Sequence, residues 1–496
     1  MDSLNNLMSG FGSVFTVHYL LLALTGCLLG MIVGILPGFG PAVTTALLFP
    51  VTLTLGATGA LVVMSAVLYG STYGGTITSV LLNVPGESSS VVTCFDGYPM
   101  AQQGKAGVAM SIAAIGGFVA CMFALVGFAF AMPITRFALT FGPPEFFALT
   151  LMAVALAGAL IGRSMVKGLI SVVIGLILAG IGRDVLTGVP RLTFGMLPLN
   201  DGVDLIVAIM GLFGVAEILV SVERRVSMGR VQKVDRILPN TEELRASAAP
   251  IARGTILGFF GGLIPGSPGA ATAFASYVLE RRLSKTPERF GKGAIEGVAG
   301  PESSNNSLVI SSMIPLFTLG IPASATMAVM LGVFTVNGLT PGPLLFQDHP
   351  DVAWTIIASM VVGNVILLIL NIPLVRVWVL LVRVPYQIMC VLVIGFMIAG
   401  AYTIANSVFN VAAMLFFGLM GYGLQKLDVP VTPMALTIIL GHIMETGMRQ
   451  SLTMSQGGLG IFFESTSSKV MLALTVVMLL IIPIGKLIGR RVVKEE

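Results

Sequence analysis

Long apolar runs are the feature that most limits what this chain can fold into. Stretches long enough to cross a roughly 30 Å hydrocarbon layer recur along the sequence, at residues 14–36, 107–132, 203–222 and 469–488. Only 10% of the 496 residues are charged, whereas a soluble domain carries about 25%. So few charges cannot cover a water-facing surface, and we therefore predict a protein embedded in a membrane.

The lipid bilayer then limits the secondary structure that the chain can form. Backbone polar groups inside a bilayer must be satisfied within the protein, which leaves helices or a closed barrel. The apolar runs lack the alternation of barrel strands and are too long for them. The 59 glycines and 26 prolines are many for a helical protein, and in membranes they often mark broken helices. We predict an all-α, multi-pass integral membrane protein with broken helices.

One polar stretch, residues 223–253, divides the chain and carries more cations than anions. Cytoplasmic loops are rich in Lys and Arg, so this connector is predicted to be cytoplasmic. The same holds for the basic C-terminal run, whereas no cation precedes Lys105 and the N-terminus is placed outside. Residues 1–222 are then a first membrane repeat, and residues 254–496 a second repeat with additional C-terminal spans. Nothing in the net charge of +4 suggests a nucleic-acid partner.

Two motifs recur in the same order. The run GMIVGILPGFGPAVTTA from Gly30 resembles GFFGGLIPGSPGAATAF from Gly258, and Pro265 matches Pro37. The run SVLLNVPGESSSV resembles LFTLGIPASATMAV, and Pro322 matches Pro85 at nearly the same separation along the chain. Two motifs in one order at nearly one offset indicate a duplicated unit.

Cations around the second copy suggest how each first motif sits in the bilayer. The apolar pieces 254–264 and 270–279 are each about 15 Å long as helices, too short to span alone. Arg253 precedes them and Arg281 and Arg282 follow, so both ends look cytoplasmic. This favours a re-entrant hairpin over one broken helix that crosses. The first copy has no flanking cation and suits entry from outside, so we predict inverted-topology repeats.

The hairpin tips are candidate ligand sites. A break at membrane depth frees N–H and C=O groups, and the start of the following helix favours an anion by roughly 0.3 to 1 kcal/mol. The first tip (residues 38–41) and the second tip (residues 266–269) are therefore candidate substrate sites; the alternative role is that of packing kinks. Their residues are Gly38, Phe39, Gly40, Pro41, Gly266, Ser267, Pro268 and Gly269.

The second motif adds hydroxyl groups. Hydroxyl donors suit carboxylate oxygens without a permanent charge, although serines in membrane helices also bond to neighbouring helices. No Lys or Arg lies within either motif, so dipoles and hydroxyls would do the recognition. We call residues 85–90 the first hydroxyl loop and residues 322–326 the second; their candidate residues are Pro85, Gly86, Ser88, Ser89, Ser90, Pro322, Ser324 and Thr326.

Other polar residues are candidates for a coupling ion. Amide and hydroxyl oxygens with unwound carbonyls can hold Na⁺, and helix capping or turn formation is the alternative. These candidates are Asn83, Ser303, Ser304, Asn305 and Asn306. Glu87 and Glu302 lie close by and serve either coupling or an interface, since a carboxylate repels an anion unless it is protonated or paired. Glu445 and Arg449 are spaced for a structural ion pair on one helical face.

Enzyme chemistry has little support. His18, His349 and His442 do not stand in metal-ligand spacing, and no GxSxG motif occurs at the candidate serines. The four cysteines lie far apart without CxxC spacing and are interpreted as packing thiols. We expect no enzyme activity, no cofactor and no metal beyond Na⁺.

These motifs together resemble the large membrane subunit, TctA type, of the tripartite tricarboxylate transporters. The likeness rests on GILPGFGPA, on YGGTITSVLLNVPGESSSVVTCFDGYPMAQQGKAG, on IPGSPGAATA and on GPESSNNS. The weaker run GYGLQKLDVPVTP, leading into ILGHIMETGMRQSL, extends it through almost the whole chain. The second tip and second hydroxyl loop read PGSPG and PASAT, so strict symmetry is lost there, which puts the identity of the anion in question.

The resemblance implies a secondary active transporter in the bacterial inner membrane. Such a subunit imports a di- or tricarboxylate with Na⁺ or H⁺, and a substrate-holding region moves like an elevator against a scaffold. The resemblance implies two partners, an extracytoplasmic (periplasmic) solute-binding protein and a small four-span membrane subunit. The rival hypothesis is a passive anion channel or a non-transporting membrane scaffold, since both fit the spans equally well.

Overall fold

The computed structural model describes residues 2–36, 38–161, 164–184, 187–223, 236–381 and 386–492. Pro37 of the first motif lies outside these residues. So do most cations of the predicted connector and one cation of the basic C-terminal run: Arg224, Arg225, Arg230, Lys233 and Lys494.

Within that part of the chain the structure is almost entirely helical, as predicted. The helices of the first half are α1 (Asp2–Val14), α2 (Val17–Gly34), α3 (Pro41–Thr52), α4 (Gly56–Leu82), α5 (Val91–Gln102), α6 (Ala106–Val126), α7 (Ala131–Ala138), α8 (Pro143–Leu160), α9 (Met165–Ala179), α10 (Leu205–Ile209) and α11 (Ala216–Glu223). A π-helical segment, Met210–Val215, joins α10 to α11. A short antiparallel ribbon pairs β1 (Gly182–Arg183) with β2 (Pro190–Arg191).

The second half of the chain is also helical. Its helices are α12 (Thr241–Leu263), α13 (Gly269–Leu283), α14 (Glu296–Ser311), α15 (Met313–Leu319), α16 (Ala325–Val336), α17 (Leu345–Asp348), α18 (Pro350–Asn371), α19 (Val375–Leu381), α20 (Tyr386–Ala405), α21 (Val408–Lys426), α22 (Thr432–Met454) and α23 (Thr466–Val492). Helix α12 begins inside the predicted connector 223–253 and runs unbroken past Arg253. Short 3₁₀ turns occupy Gly127–Phe130, Leu197–Leu199, Pro287–Arg289 and Leu459–Phe463.

The apolar runs picked out in the sequence are helical, and the described residues include seven helices long and apolar enough to cross a membrane. Their bounds are Val17–Gly34, Gly56–Leu82, Ala106–Ala138, Pro143–Leu160, Leu205–Glu223, Pro350–Asn371 and Val408–Lys426. The apolar window of α4 is completely buried by other helices. The chain is thus a multi-pass membrane protein built around α4.

Helix α2 packs against α4 through glycines at every fourth position. A Cβ on Gly30 would lie 2.5 Å from the carbonyl oxygen of Val67, so only glycine permits this approach. Gly26 and Gly34 meet Val63 and Ser71 in the same way. Small residues at this spacing let two membrane helices bring their backbones together, where van der Waals packing holds them.

The second copy repeats this contact at equivalent positions. Gly258 of α12 is as far along the chain from Gly30 as Pro265 is from Pro37. It packs on Ser304, which is as far from Val67 as Pro322 is from Pro85. The same correspondence holds for Gly254 on Gly300 and for Gly262 on Leu308. The duplicated sequences therefore pack in the same way within each copy.

The register of these contacts shows that both tips turn the chain back. Along α2 and α4 the contacts advance together, from Gly26 on Val63 to Gly34 on Ser71, so the two helices are parallel. Helix α3 lies between them in sequence and must run in the opposite direction to reach the start of α4. The same register in α12 and α14 reverses α13. The predicted helical hairpins are therefore confirmed.

Helix α5 runs in the direction of α4 but opposite to α14. Gly86, in the loop before α5, packs on Gly75 of α4. Gly97, within α5, packs on Val80, which lies further along α4. Against α14 the order reverses, because Glu87 contacts Asn305 whereas Gly97 contacts Val298. Helices α4 and α14 hold equivalent places in the two copies, and they run antiparallel.

The remaining helices form two satellite groups around this centre. Helices α8, α9, α22 and α23 pack on one another with a small apolar core. Helix α10, the π-helical segment, α21 and α22 surround a second. Helix α1 packs on α18, which also contacts α2 and α4. Helices α11 and α21 carry polar residues into the central region described below.

Replacing Gly258 with Ala should destabilise the protein. Its new Cβ would lie 2.0 Å from the Ser304 carbonyl oxygen, and such overpacking costs about 1 to 3 kcal/mol. Gly395→Ala in α20 is the matched control, because nothing lies within 4 Å of its Cβ position. Thermal unfolding in detergent checks this: a melting temperature for Gly258→Ala equal to that of Gly395→Ala would contradict it.

Candidate functional site

A cavity of about 340 Å³ lies where both tips and both hydroxyl loops meet. This volume falls in the range of about 300 to 1,000 Å³ that is typical of small-molecule sites. The predicted substrate residues that line it are Gly38, Gly40, Pro41, Ser88, Ser267, Pro268, Gly269, Ser324 and Thr326. The structure thus brings together residues from both halves of the chain.

Three helices point their N-termini at this cavity. Helix α3 starts with Pro41, α13 with Gly269 and α16 with Ala325, and all three residues line the cavity wall. The first N–H groups of a helix have no partner inside the helix, and they carry the positive end of its dipole. Converging N-termini make the cavity suited to a small anion.

The first tip is held between two carboxylates. Gly38 has a left-handed backbone (φ 84°), and a Cβ there would lie 2.6 Å from Oε1 of Glu217. A Cβ on Gly40 would lie 3.0 Å from Cβ of Glu87. Glycine is therefore required at Gly38 for both conformation and space. Phe39 between them is fully buried in the apolar core and does not line the cavity.

The second tip is fixed by backbone contacts. The Gly266 N–H donates to the carbonyl oxygen of Ala323 at 2.9 Å, so the second tip is bonded to the second hydroxyl loop. Gly266 is also left-handed (φ 78°), and a Cβ would lie 2.7 Å from Cα of Ala157 in α8. Gly266 therefore packs behind the cavity, while Ser267, Pro268 and Gly269 line it.

Two predicted hydroxyl-loop residues hydrogen-bond to nearby backbone groups. Ser90 Oγ donates to the Glu87 carbonyl oxygen at 2.9 Å and accepts from the Glu87 N–H at 3.1 Å. Ser324 Oγ caps α16 by accepting from the Met327 N–H at 3.3 Å, and its O–H remains able to donate. The predicted residues outside the lining are Phe39, Pro85, Gly86, Ser89, Ser90, Gly266 and Pro322.

The coupling-ion candidates do not form one cluster. Asn305 Nδ2 donates to Glu87 Oε1 at 2.8 Å, and Asn306 Nδ2 donates to the Glu302 carbonyl oxygen at 2.9 Å. Ser303 and Ser304 are buried, and their hydroxyls have no hydrogen-bond partner among the described residues. Asn83 is a left-handed C-cap of α4 (φ 58°), the alternative role considered for it.

Glu302 is buried at the contact between the copies. Its Oε2 accepts from Thr76 Oγ1 of α4 at 2.8 Å, and its Oε1 accepts from Thr93 Oγ1 of α5. Both carboxylate oxygens are thereby used, and the side chain is 1% exposed. Glu302 therefore joins α14 to α4 and α5 and does not line the cavity.

The predicted ion pair between Glu445 and Arg449 forms away from the cavity. Arg449 Nε lies 2.9 Å from Glu445 Oε1, and Arg191 of β2 binds the same carboxylate through Nη1 at 2.6 Å. Arg449 also pairs with Asp184 at 2.7 Å. The hydrogen bond to Glu445 raises the pKa of the Arg191 guanidinium. This network ties the ribbon to α22.

The sequence reasoning missed polar lining residues from the satellite helices. Glu217 of α11, Gln425 of α21 and Thr432 of α22 line the cavity, and Glu217 contacts the first tip at Gly38. A signal for Glu217 was available, because it is an acid inside the apolar run 203–222 and such residues face a protein interior or a cavity. Gln425 lies near the end of its helix and carries no comparable signal.

Replacing Glu302 with Leu should lower stability more than replacing it with Gln. Leu leaves the hydroxyls of Thr76 and Thr93 without their acceptor, at a cost of about 1 to 3 kcal/mol, whereas the Gln amide oxygen still accepts one of them. Melting temperatures of the two variants in detergent measure the difference. A Leu variant as stable as wild type would show that these contacts contribute nothing.

Comparison with known proteins gives one family. The family model "Tripartite tricarboxylate transporter TctA family" matches residues 20–436. An uncharacterized 52.8 kDa protein in the TAR-I ttuC' 3'region of Agrobacterium vitis is 40% identical over 478 residues, 95% of either chain. An uncharacterized protein in the TAR-II ttuC' 3'region of the same organism is 41% identical over 224 residues, 45% of this chain and 93% of the relative. No solved structure matches the chain.

Proposed function

This chain belongs to the tripartite tricarboxylate transporter TctA family, and we propose that it imports a small di- or tricarboxylate through the cavity between the two tips. Family membership makes it a multi-pass membrane subunit of a transporter. The observation that carries the substrate site is the convergence of three helix N-termini and five hydroxyl side chains on one cavity. The hydroxyls are those of Ser88, Ser267, Ser324, Thr326 and Thr432.

We propose uptake coupled to Na⁺ or H⁺ across a bacterial inner membrane. A periplasmic solute-binding protein would deliver the substrate, and a small membrane subunit would complete the complex. The proposed inverted topology of the two copies is supported by the antiparallel course of α4 and α14. With inverted copies, equivalent tips approach one cavity from opposite sides, as alternating access requires.

A carrier of this kind should concentrate its substrate. The complex in proteoliposomes, supplied with the binding protein, is offered labelled succinate, malate and citrate with an inward Na⁺ or H⁺ gradient. At least one carboxylate should accumulate above its outside concentration, because the ion gradient drives it. Simple equilibration would identify a passive channel, and no uptake of any carboxylate would indicate a scaffold.

Thr326→Val should weaken substrate binding. Losing a hydroxyl that donates to a carboxylate costs about 1.5 to 3 kcal/mol, or roughly ten- to hundredfold in affinity. Thr335→Val, near the far end of the same helix, is the matched control, because Thr335 bonds to its own helix at Leu331. The KM for uptake of the transported carboxylate measures both. Equal KM values in the two variants would remove Thr326 from the site.

A further inference from the structure

The cavity carries its negative charges on one side. In the described part of the chain, the carboxylates that line it are Glu87 and Glu217, and both lie against the first tip. The second tip and the second hydroxyl loop contribute only uncharged residues to the lining. An anion bound at the three helix N-termini would therefore lie close to two acids.

Within the described part of the chain, no cation lies beside Glu87 in the cavity wall. Among the described residues no Lys, Arg or His lines it. The adjacent Lys426, next to Gln425 in α21, is engaged outside the cavity with Glu223 and with the ring of Tyr422. A membrane-embedded site that holds both an anion and ionised carboxylates without a cation is strongly disfavoured.

Glu87 lines this cavity, and Ser89 as well as Asn305 hydrogen-bonds to its carboxylate. Its Oε1 accepts from Asn305 Nδ2 at 2.8 Å, which fixes the side chain against α14. Its Oε2 lies 3.6 Å from the position of a Cβ on Gly40, a residue of the cavity wall. A proton on Oε2 would thus lie beside the first tip, at the wall of the cavity.

The other acids near Glu87 are placed differently. Glu302, three residues before Asn305 on α14, has both oxygens occupied by Thr76 and Thr93 and lies behind the wall. Glu217, on α11, is wedged against Gly38 and belongs to neither of the two motifs that recur in both copies. Among the residues that the structure describes, the second tip, the second hydroxyl loop and α4 at Gly75 bring no titratable group to Glu87.

We propose that Glu87 carries the coupling proton, so that the coupling ion of this transporter is H⁺. The inference rests on the proposed function. One proton binds Oε2 of Glu87 when the carboxylate enters, and both leave together on the other side, with no covalent bond to the substrate formed or broken. Neutral Glu87 removes one repulsive charge and adds a donor, so substrate and proton each favour binding of the other.

The test uses the complex with its binding protein in proteoliposomes, labelled citrate as probe, no Na⁺, and the membrane potential clamped to zero with K⁺ and valinomycin. If the uptake assay with succinate, malate and citrate identifies a different substrate, that carboxylate replaces citrate. For one proton per substrate, an outside-acid gradient of about one pH unit supports about tenfold accumulation. Wild type should reach it and Glu87→Gln should not, while Glu87→Gln still exchanges labelled for unlabelled substrate, because its amide imitates the protonated acid.

Glu302→Gln is the matched control, since it removes a buried acid that does not line the cavity. It should keep the accumulation driven by the pH gradient. Accumulation retained by Glu87→Gln, or lost by Glu302→Gln alone, would overturn the assignment of Glu87. Accumulation by wild type with a Na⁺ gradient and none with a pH gradient would overturn H⁺ as the coupling ion. Failure of wild type to take up any carboxylate would instead reject the proposed function.

A second measurement needs no folded variant. Wild-type complex in weakly buffered detergent, mixed with the same carboxylate and a pH indicator, should take up close to one proton per bound substrate. Binding without proton uptake would overturn the proposal even if Glu87→Gln fails to fold.

Discussion

The breaks in the helices determine the rest of this structure. In hydrocarbon a freed backbone N–H or C=O costs several kcal/mol unless protein, water or a ligand meets it. The breaks at the two tips and the two hydroxyl loops therefore need polar partners, and described residues from all four line one cavity. Gly266 shows one solution, a bond from its N–H to Ala323 that joins two breaks of one copy.

Enclosure depends on close helix packing. The glycines spaced by four on α2 and α12 let these helices lie backbone to backbone on α4 and α14. Because the contacts recur at matching positions, each copy builds its own rigid hairpin support. The contact between copies adds polar side chains such as Glu302 and Asn305 to apolar packing such as that of Gly97 on Val298. Buried polar contacts of this sort fix one mutual position of the helices more strictly than apolar packing does.

Much of the fold was predictable because its signals are local or periodic. The lengths of the apolar runs predicted the membrane-spanning helices, and the Pro and Gly residues predicted where helices break. The cations flanking the second copy indicated that the chain turns back at the tips, and the structure confirms these turns. The i, i+4 ion pair of Glu445 with Arg449 was predictable for the same reason. The motif residues that line the cavity were also within reach, since both tips and both hydroxyl loops stood out by repetition. Their role in binding stays a prediction.

The sequence by itself determined a helical membrane protein with a duplicated hairpin unit, because hydrophobic length, helix breakers and repetition act over short distances along the chain. Only the tertiary structure decided which residues of each tip reach the cavity, as Gly40 does, and which pack behind it, as Gly266 does. It also decided that Glu217 and Gln425 join the site. Those outcomes depend on contacts between residues far apart in the chain, which local patterns do not encode.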